Sequence, residues 1–290
     1  MKVFITGITG TLGTELCKYL LHNYPDLEIS GISRSWTRQQ DLFHSLNSPS
    51  NVKLHVGCIS DKASVQHAMR NSNYVVHCGA LKCLHTCEIN PHEALRVNIS
   101  GSRNVFDCAA SAKVKKTVFI SSDKAALPCN VYGFTKAMGE KFALLNKRNA
   151  VCRYGNVVGS NGSVIPIFIK SLQENKVVNI TDINSTRFWI TKEAACKFVC
   201  DTVFSDSLGL CVPKMKAASV LRVALTLARL MGINDPVINF SGLKNGEKID
   251  ENLITVYERY LGEPLCSKTA EQYTDQELIE MLKPIVKEYV

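Results

Sequence analysis

The chain has 290 residues, about twice the length of a common single domain, so it can bury a substantial hydrophobic core. A content of 46% hydrophobic and 21% charged residues, with 17 glycines and 9 prolines, excludes disordered, collagen-like and coiled-coil proteins. The net charge is +8, but the basic residues are dispersed and form no block typical of nucleic-acid binding, so we expect no nucleic-acid partner.

The first 150 residues alternate short β-branched runs with segments of helical period, a pattern that indicates parallel βαβ units. Helices are predicted in the intervals, including residues 12–23 and 93–112. Because crossovers between parallel strands are right-handed, the pattern predicts an α/β fold with one doubly wound, Rossmann-type sheet. The predicted strands cover residues 2–6, 28–33, 52–56, 74–77, 117–121 and 150–153.

The rhythm changes after Arg153, where clusters of Gly, Asn and Ser are followed by shorter and less regular elements. We therefore expect two domains, residues 1–153 and residues 154–290, the second being a smaller C-terminal lobe with some segments that return to the sheet. A terminal amphipathic helix is predicted over residues 275–289, with an interruption at Pro284, which lacks the N–H that a helix interior requires.

Neither a secretion signal nor a membrane span is predicted. The N-terminal apolar run is too short for a signal-peptide core, and no window approaches the roughly 18 apolar residues of a spanning helix. We expect a soluble cytoplasmic protein that does not bind membranes. In that compartment the 12 cysteines are expected to be reduced thiols in the core, with Cys196 and Cys200 on the buried face of one helix.

A glycine-rich turn follows the first predicted strand and opens a helix. Glycines are needed where the backbone turns tightly and where a side chain would push a phosphate away, and the N–H groups of a helix N-terminus suit a diphosphate. The pattern GxxGxxG therefore predicts a dinucleotide site, although a tight turn without a ligand is the simpler alternative. Its expected cofactor-binding residues are Gly7, Thr9, Gly10, Thr11, Leu12 and Gly13.

The end of the second strand indicates which dinucleotide is preferred. An NAD enzyme usually places a carboxylate here for the ribose 2′-hydroxyl, whereas this chain has Ser33 and Arg34, with Gln39 further on. A guanidinium binds phosphate oxygens well, so NADP is predicted over NAD. A solvated surface arginine is the alternative interpretation of Arg34.

The strongest pattern joins the end of the fifth strand to the next helix. Ser122, Asp123 and Lys124 follow the strand, and Tyr132 and Lys136 are spaced i and i+4 on one helix face. At that spacing the lysine ammonium is expected to lower the pKa of the tyrosine and to hydrogen-bond a cofactor ribose, while the serine hydroxyl binds the reacting oxygen. A Tyr-x-x-x-Lys pair by itself is frequent by chance, but after a glycine-rich dinucleotide turn and a serine at a strand end it predicts a catalytic site.

These motifs, with further blocks that span nearly the whole chain, resemble the extended short-chain dehydrogenase/reductase family. Within it the sequence is similar to the soluble UDP-N-acetylglucosamine 4,6-dehydratases that invert C5, a group of polysaccharide-biosynthesis proteins. The blocks are residues 79–82 (GALK), 88–91 (EINP), 122–125 (SDKA), 128–136 (PCNVYGFTK), 153–157 (RYGNV), 162–166 (GSVIP), 186–191 (TRFWIT) and 246–248 (GEK).

Two features narrow the resemblance. C5-retaining relatives typically pair Asp with Glu where this chain has Asp123 and Lys124, and membrane-anchored relatives commonly replace the tyrosine, which is present here as Tyr132. The sequence also departs from the family. An Asp-Val pair near the adenine is replaced by Cys58 and Ile59, and a proline-containing stretch after residue 82 is replaced by CLHTC. The resemblance places Cys58, Ile59 and Ala80 at the cofactor.

The resemblance implies a reaction that begins with oxidation of a hexose at C4, which makes the C5 proton acidic. Tyr132 would accept the C4 hydroxyl proton, with Lys136 and Ser122 in support. Asp123 would act as general acid on the C6 hydroxyl, and Lys124 would remove the C5 proton. Both roles need altered pKa values, and the mutual attraction of the two groups opposes those shifts, so a surface ion pair is the alternative.

For the substrate, the resemblance implies a UDP-sugar. The C-terminal lobe would then be mainly substrate-binding, and a homo-oligomer, dimer or hexamer, is expected. Asn156 as a loop cap and Arg187 as a structural pair are alternative roles, and Phe188 and Trp189 are expected in the core. The implied substrate-binding residues are Lys82, Asn156, Ser163, Val164, Arg187 and Glu247.

Other functions are considered beside this one. A 4-epimerase or a 4-keto reductase acting on a UDP-sugar shares the C4 chemistry but needs no acid and base pair for elimination. A non-catalytic NADP-binding regulator would have no need of the Ser, Tyr and Lys set. No metal site is expected, because the His and Cys residues between His77 and Cys87 match no usual zinc spacing.

Overall fold

The computed structural model describes residues 1–263 and 265–289, and these form two structural units. The first unit comprises Met1–Arg153 and Glu193–Cys211, and the second comprises Tyr154–Lys192 and the chain from Val212 onward. The chain thus leaves the first unit after Arg153 and returns to it for one helix and one strand.

The strands and helices are as follows. The strands are β1 (Lys2–Thr6), β2 (Glu28–Ser33), β3 (Val52–Val56), β4 (Tyr74–His77), β5 (Lys116–Ile120), β6 (Ala150–Cys152), β7 (Asn156–Val157), β8 (Val177–Ile180), β9 (Thr186–Ile190), β10 (Gly209–Cys211), β11 (Ala217–Ser219), β12 (Val237–Phe240), β13 (Asn252–Ile254) and β14 (Leu265–Cys266). The helices are α1 (Thr11–Asn23), α2 (Trp36–Ser45), α3 (Lys62–Ala68), α4 (Leu84–Ile89), α5 (Pro91–Ala94), α6 (Ser102–Ser111), α7 (Val131–Leu144), α8 (Val164–Asn175), α9 (Lys192–Phe204), α10 (Val220–Leu230) and α11 (Asp275–Tyr289). A π-helix covers Leu95–Gly101, and 3₁₀ turns cover Asp123–Ala125 and Val256–Leu261.

The first unit is built on a seven-stranded sheet of order β10-β6-β5-β4-β1-β2-β3, in which all neighbouring strands are parallel. The strand order reverses between β1 and β4, which is the topological switch point of a doubly wound sheet. Helices cover both faces, so the middle of the central strands is apolar: Val3, Phe4 and Ile5 of β1 are fully buried. The predicted fold class is confirmed, and the first six strands lie within one residue of their predicted bounds.

The predicted helix over residues 93–112 differs in detail. It begins earlier, at Pro91, a residue that suits the first helical position because it needs no N–H partner. Its middle is the π-helix Leu95–Gly101. A π-helical turn contains an extra residue, and such turns occur frequently at functional sites. A period of 3.6 residues in the sequence gives no sign of it.

The second unit contains a three-stranded sheet of order β11-β9-β7, the parallel pair β8 and β12, and the antiparallel pair β13 and β14. Helices α8, α10 and α11 supply a core around Trp189. The core positions predicted for Phe188 and Trp189 are confirmed, at 0% and 2% exposure.

The interruption predicted at Pro284 is wrong. Helix α11 is continuous over Asp275–Tyr289, with Pro284 inside it. A proline removes one backbone hydrogen bond, but packing of the apolar face keeps the helix intact across it. The buried residues of that face are Leu278, Met281, Leu282, Ile285 and Val286.

The cysteines are all free thiols, and six of the 12 are buried. Cys196 and Cys200 are 1% and 2% exposed on α9, as predicted. None of the helices within residues 1–263 and 265–289 has the length and apolar character needed to cross a bilayer.

Candidate functional site

The glycine-rich turn between β1 and α1 packs tightly against the chain after β4. Gly7 has a φ of +66°, in the left-handed region that favours glycine. A Cβ atom on Gly7 would lie 2.8 Å from the Cα of Gly79, and one on Gly13 would lie 2.7 Å from the Cα of Ile8. Side chains are therefore excluded at both positions, and the backbone itself forms the surface of the turn.

The N-terminus of α1 suits an anion. Gly10 is the N-cap residue and provides no side-chain cap, and the first turn contains no acidic residue. No carboxylate of this first turn therefore neutralises the positive end of the helix dipole. Thr9, Thr11 and Leu12 lie half-buried around this terminus. The turn fits a diphosphate in shape and charge.

Gln39 occupies a different place from the one expected for it. Its side chain is 2% exposed, and its amide nitrogen donates to Ser33 Oγ at 2.9 Å and to the carbonyl oxygen of His55 at 2.7 Å. Gln39 and Ser33 therefore join the carboxyl ends of β2 and β3. Arg34, one residue beyond β2, is exposed.

The positions expected near an adenine show a similar division. Ile59 is 7% exposed and packs in the core of the first unit, whereas Cys58 is half-buried and accepts a hydrogen bond from Ser60 Oγ at 3.0 Å. Ala80 is half-buried in the loop after β4, and Lys82 lies at the surface of the same loop.

An ion pair lies directly after β5. Asp123 is fully buried, and its Oδ1 accepts hydrogen bonds from Ser122 Oγ at 2.7 Å and from Lys124 Nζ at 3.1 Å. The side chain of Lys124 is only 14% exposed. The alternative of a surface ion pair is therefore wrong, and the two groups act on each other in a poorly solvated environment.

Tyr132 lies on the first turn of α7 and belongs to the same cluster. Burial raises its pKa to about 12, and Asp123 acts in the same direction. The Lys124 ammonium and a hydrogen bond with Ser122 lower the pKa of this phenol, against that effect. The structure thus brings Ser122, Asp123, Lys124 and Tyr132 together in one electrostatic cluster.

Lys136 is buried beneath this cluster, but its contacts differ from those expected. Its Nζ donates to the carbonyl oxygen of Ile120 and lies 4.2 Å from the centroid of the Phe119 ring. Burial lowers the pKa of Lys136 to about 8. The expected effect of Lys136 on Tyr132 is replaced by that of Lys124, because i and i+4 spacing fixes a common face and not the direction of a four-carbon side chain.

Glu140 of α7 and Arg153 form a buried ion pair that the sequence analysis missed. Glu140 accepts from Arg153 Nε at 2.9 Å and from Arg153 Nη2 at 2.7 Å, and it also accepts from Ser121 Oγ at 2.5 Å. Glu140 follows Lys136 by four residues on the buried face of α7. A carboxylate on the apolar face of a predicted helix was the available signal.

The second unit contains the other implied substrate residues. The Ser163 hydroxyl is buried at the N-cap of α8, and none of the described residues forms a hydrogen bond with it. Val164 packs against the core, and Asn156 pairs with Trp189 in the sheet.

Arg187 connects β9 to the chain around Glu247. Its guanidinium donates to the carbonyl oxygens of Thr186, Lys248 and Ile249 at 2.7, 2.8 and 2.7 Å. The structural role considered for Arg187 is thus present. Glu247 is half-buried, and its carboxylate accepts from the backbone N–H of Lys244 at 3.1 Å. Within the described residues no three His, Cys, Asp or Glu side chains group as metal ligands would.

Comparison with known proteins identifies the family. The family described as polysaccharide biosynthesis protein matches residues 3–268. The chain belongs to this family. Among its polysaccharide-biosynthesis relatives, the inverting UDP-N-acetylglucosamine 4,6-dehydratase of Campylobacter jejuni is 36% identical over 90% of this chain and 79% of its own. The UDP-glucose 4-epimerase of Rickettsia bellii is 35% identical over 91% of this chain and 80% of its own.

Solved structures agree with the assignment. The X-ray structure of Pen from Bacillus thuringiensis is 29% identical, covers 98% of this chain and 97% of its own, and has a TM-score of 0.91. DesIV, the dTDP-glucose 4,6-dehydratase of Streptomyces venezuelae, is 17% identical with a TM-score of 0.83 over 99% of this chain and 97% of its own, which establishes the common fold. The resemblance inferred from the sequence motifs is confirmed.

Proposed function

We propose that this polysaccharide-biosynthesis protein is an NADP-dependent 4,6-dehydratase that acts on UDP-N-acetylglucosamine and inverts C5. The observation that carries the proposal is the buried contact of 3.1 Å between Lys124 Nζ and Asp123 Oδ1, in one electrostatic cluster with Tyr132. A tyrosine base serves C4 oxidation, which an epimerase also needs, but an adjacent acid and base pair is needed only for elimination of water across C5 and C6.

The residues of the first unit fit a dinucleotide. The turn at Gly7 and Gly13 has no room for side chains, and the N-terminus of α1, where the N-cap residue Gly10 provides no side-chain cap, favours a diphosphate. Exposed Arg34 supports a 2′-phosphate and so NADP over NAD. When bound, the nicotinamide supplies a two-electron acceptor for C4 oxidation and returns both electrons at C6.

The resting ion pair explains how one site provides both an acid and a base. A proton shift from Lys124 Nζ to the Asp123 carboxylate gives a neutral amine and a carboxylic acid, and low solvation makes this shift accessible. The amine then removes the C5 proton while the acid protonates the leaving C6 hydroxyl as water. Both groups return to the ion pair, and Lys124 then delivers a proton to C5 on the opposite face. The proton that Tyr132 accepted from the C4 hydroxyl passes to Lys124, which restores the starting state.

Tyr132 and Ser122 act on the first step. The C4 hydroxyl proton passes to the phenolic oxygen of Tyr132, and Ser122 Oγ hydrogen-bonds the same substrate oxygen. Because burial raises the pKa of Tyr132 to about 12, the phenolate needs a nearby cation, and Lys124 is positioned to provide one. We assign UDP binding to Lys82, Asn156, Ser163, Val164, Arg187 and Glu247.

A 4-epimerase is the second candidate, because relatives 35% identical carry the name UDP-glucose 4-epimerase. The products of the two reactions differ in mass and in their deuterium label. Incubation with UDP-N-acetylglucosamine in deuterated water, followed by mass spectrometry and NMR, is expected to give a 4-keto-6-deoxy sugar with deuterium at C5 and no net NADPH. A product of unchanged mass, inverted at C4 and without C5 label, would identify an epimerase.

Variants assign the steps. Tyr132→Phe is expected to abolish C4 oxidation, and Lys124→Ala to block C5 exchange while NADP binding is retained. Lys170→Ala, at an exposed position of α8, is the matched control and should retain full activity. Unchanged deuterium incorporation in Lys124→Ala would remove the assigned base.

A further inference from the structure

His77, the last residue of β4, is the centre of a buried hydrogen-bond network that the proposed reaction does not use. Its Nδ1 lies 2.7 Å from Thr6 Oγ1, and its Nε2 lies 2.8 Å from Ser102 Oγ. His77 and Thr6 are fully buried, and Ser102 is 2% exposed. The network therefore connects the end of β1 to the first residue of α6.

The neighbours of the two hydroxyl groups fix the imidazole tautomer. Ser102 donates its one proton to the carbonyl oxygen of Asn98 at 2.6 Å, so its oxygen accepts from the Nε2–H of His77. Nδ1 then accepts the hydroxyl proton of Thr6, whose oxygen accepts the backbone N–H of Gly79 at 2.9 Å. Every donor meets an acceptor, and the ring is neutral.

The surroundings of the ring support a neutral imidazole. His77 lies against the rings of Phe119 and Phe106, with centroids 5.4 and 5.8 Å away. Burial lowers its pKa to about 3, and Lys136 acts in the same direction. No acidic residue takes part in the network, so no carboxylate stabilises a charged ring there.

One part of the network, the first arm, runs from His77 through Thr6 to the glycine-rich turn, where the cofactor is proposed to bind. Gly79, bound by Thr6, is the residue whose Cα would lie 2.8 Å from a Cβ on Gly7. The position of Gly79 sets how closely the loop after β4 approaches the glycine-rich turn. His77 therefore acts on the turn through Thr6.

The other part of the network, the second arm, runs from His77 through Ser102 and Asn98 to α7, the helix that carries Tyr132. The side chain of Asn98, in the π-helix, accepts from the N–H of Leu81 at 2.7 Å and donates to its carbonyl oxygen at 2.9 Å. The same amide donates to Thr135 Oγ1 at 3.0 Å, and Thr135 donates to the carbonyl oxygen of Tyr132 at 2.8 Å. The hydrogen bond from Ser102 Oγ to the carbonyl oxygen of Asn98 helps to hold Asn98 in place.

We propose that His77, held as the neutral Nε2–H tautomer, is a positioning residue that couples the glycine-rich turn to the helix carrying Tyr132. This inference rests on the proposed function, since it assigns the turn to NADP and Tyr132 to proton transfer. If His77 merely filled the core, its substitution would affect NADP⁺ binding and C4 oxidation equally. If His77 positions two parts of the protein, substitutions that break one arm at a time should affect NADP⁺ binding and C4 oxidation separately.

The tautomer is measured directly by ¹⁵N NMR of histidine-labelled protein, with the His77 signal identified by its loss in His77→Gln. The expected result is an Nε2–H signature that stays unchanged as the pH is lowered through the range in which exposed histidines become charged. An Nδ1–H tautomer, or a ring that becomes charged with the exposed histidines, would overturn the inference. This measurement needs neither cofactor nor turnover.

Two substitutions separate the arms. An Asn amide occupies the place of Nδ1 and keeps the contact to Thr6, whereas a Gln amide reaches the place of Nε2 and keeps the contact to Ser102. His77→Asn is expected to leave the NADP⁺ dissociation constant within about threefold of wild type but to lower the C4 oxidation rate about tenfold and shift its pH profile. His77→Gln is expected to weaken NADP⁺ binding about tenfold and to leave the pH profile unchanged.

Controls keep the result interpretable if a His77 variant does not fold. Thr6→Val breaks the first arm and Ser102→Ala the second, and they are expected to reproduce His77→Gln and His77→Asn respectively. His44→Asn and His44→Gln, at an exposed position of α2, should change neither quantity.

The outcomes distinguish this inference from the proposed function. A wild-type protein that binds no NADP⁺ overturns the proposed function and this inference with it. The inference alone is overturned if the wild-type protein binds NADP⁺ and oxidises its substrate, but the variants of each arm change the NADP⁺ dissociation constant and the C4 oxidation rate equally. Separate effects of the two arms support it.

Discussion

The Glu88 carboxylate accepts a hydrogen bond from the backbone N–H of Val131 at 2.7 Å. Val131 is the first residue of α7 and immediately precedes Tyr132, so a side chain at the end of α4 caps the helix that carries the tyrosine. Asn130 caps the same helix by accepting from the N–H of Gly133 at 2.7 Å. Two acceptors from different segments thus fix the first turn of α7.

Loss of the Glu88 cap should destabilise the first unit. Glu88→Ala is expected to lower the free energy of unfolding by about 1 kcal/mol, because one N–H loses its acceptor and the helix dipole its negative partner. Glu88→Gln retains an acceptor and should cost less. Urea denaturation measures both, with Glu174→Ala on α8 as an exposed control. Equal losses in the Ala and Gln variants would contradict a capping role.

The Glu140 and Arg153 pair should be strongly coupled. Glu140→Ala leaves a buried guanidinium without its partner and is expected to cost about 3–5 kcal/mol of unfolding free energy. The double variant Glu140→Leu with Arg153→Met removes both charges and should recover most of that loss. Denaturant midpoints of the two single variants and the double variant form the test. A double variant as unstable as the sum of the single variants would rule out coupling.

Tyr132 should titrate late in the cofactor-free protein. Because burial raises its pKa to about 12, the ultraviolet phenolate signal of wild type and Tyr132→Phe should coincide until the pH approaches 12. Ser122→Ala removes a hydrogen bond that lowers this pKa and should delay the transition further. A phenolate signal near pH 10 that disappears in Tyr132→Phe would contradict the burial of the phenol.

Lys136 should make stability depend on alkaline pH. An unfolded lysine keeps its proton up to about 10.5, whereas folded Lys136 releases it at about 8, so its contribution to the free energy of unfolding rises between these values. Lys136→Met lacks this contribution. The stability of Lys136→Met relative to wild type should therefore be highest below pH 8 and should fall by about 3 kcal/mol by pH 10.5. A constant difference across that range would show that Lys136 keeps its proton when buried.

Gly13 should tolerate no side chain. Gly13→Ala places a Cβ 2.7 Å from the Cα of Ile8, so the backbone must shift, at a cost of about 1–3 kcal/mol in stability. NADP⁺ binding, measured by calorimetry, should weaken at least about tenfold, because the turn that fits the diphosphate is deformed. Gly10→Ala, whose Cβ would lie 3.1 Å from the Gly7 carbonyl oxygen, should cost less stability. Equal losses in the two variants would contradict the steric explanation, because helix propensity by itself favours Ala over Gly.

The limits of prediction follow the range of the interactions. Strand bounds and the glycine-rich turn were predictable because apolar runs and glycine spacing are local properties. The π-helix and the continuity of α11 across Pro284 were not, since each depends on packing that outweighs local preference. Gln39 was assigned to the cofactor from its position after the second strand, whereas its amide donates to the backbone carbonyl oxygens of Ser33 and His55 on two neighbouring strands.

By itself the sequence determined the fold class and pointed to the proposed catalytic residues, because Ser122, Asp123 and Lys124 follow one strand and Tyr132 lies at the start of the next helix. Only the tertiary structure decided which cation acts on Tyr132, which hydroxyl groups orient His77 and which carboxylate caps α7. Thr6 and His77 are 71 residues apart in the chain, and Glu88 and Val131 are 43 apart. Contacts of that kind have no sequence period, because they depend on how strands and helices pack and not on the spacing within any one of them.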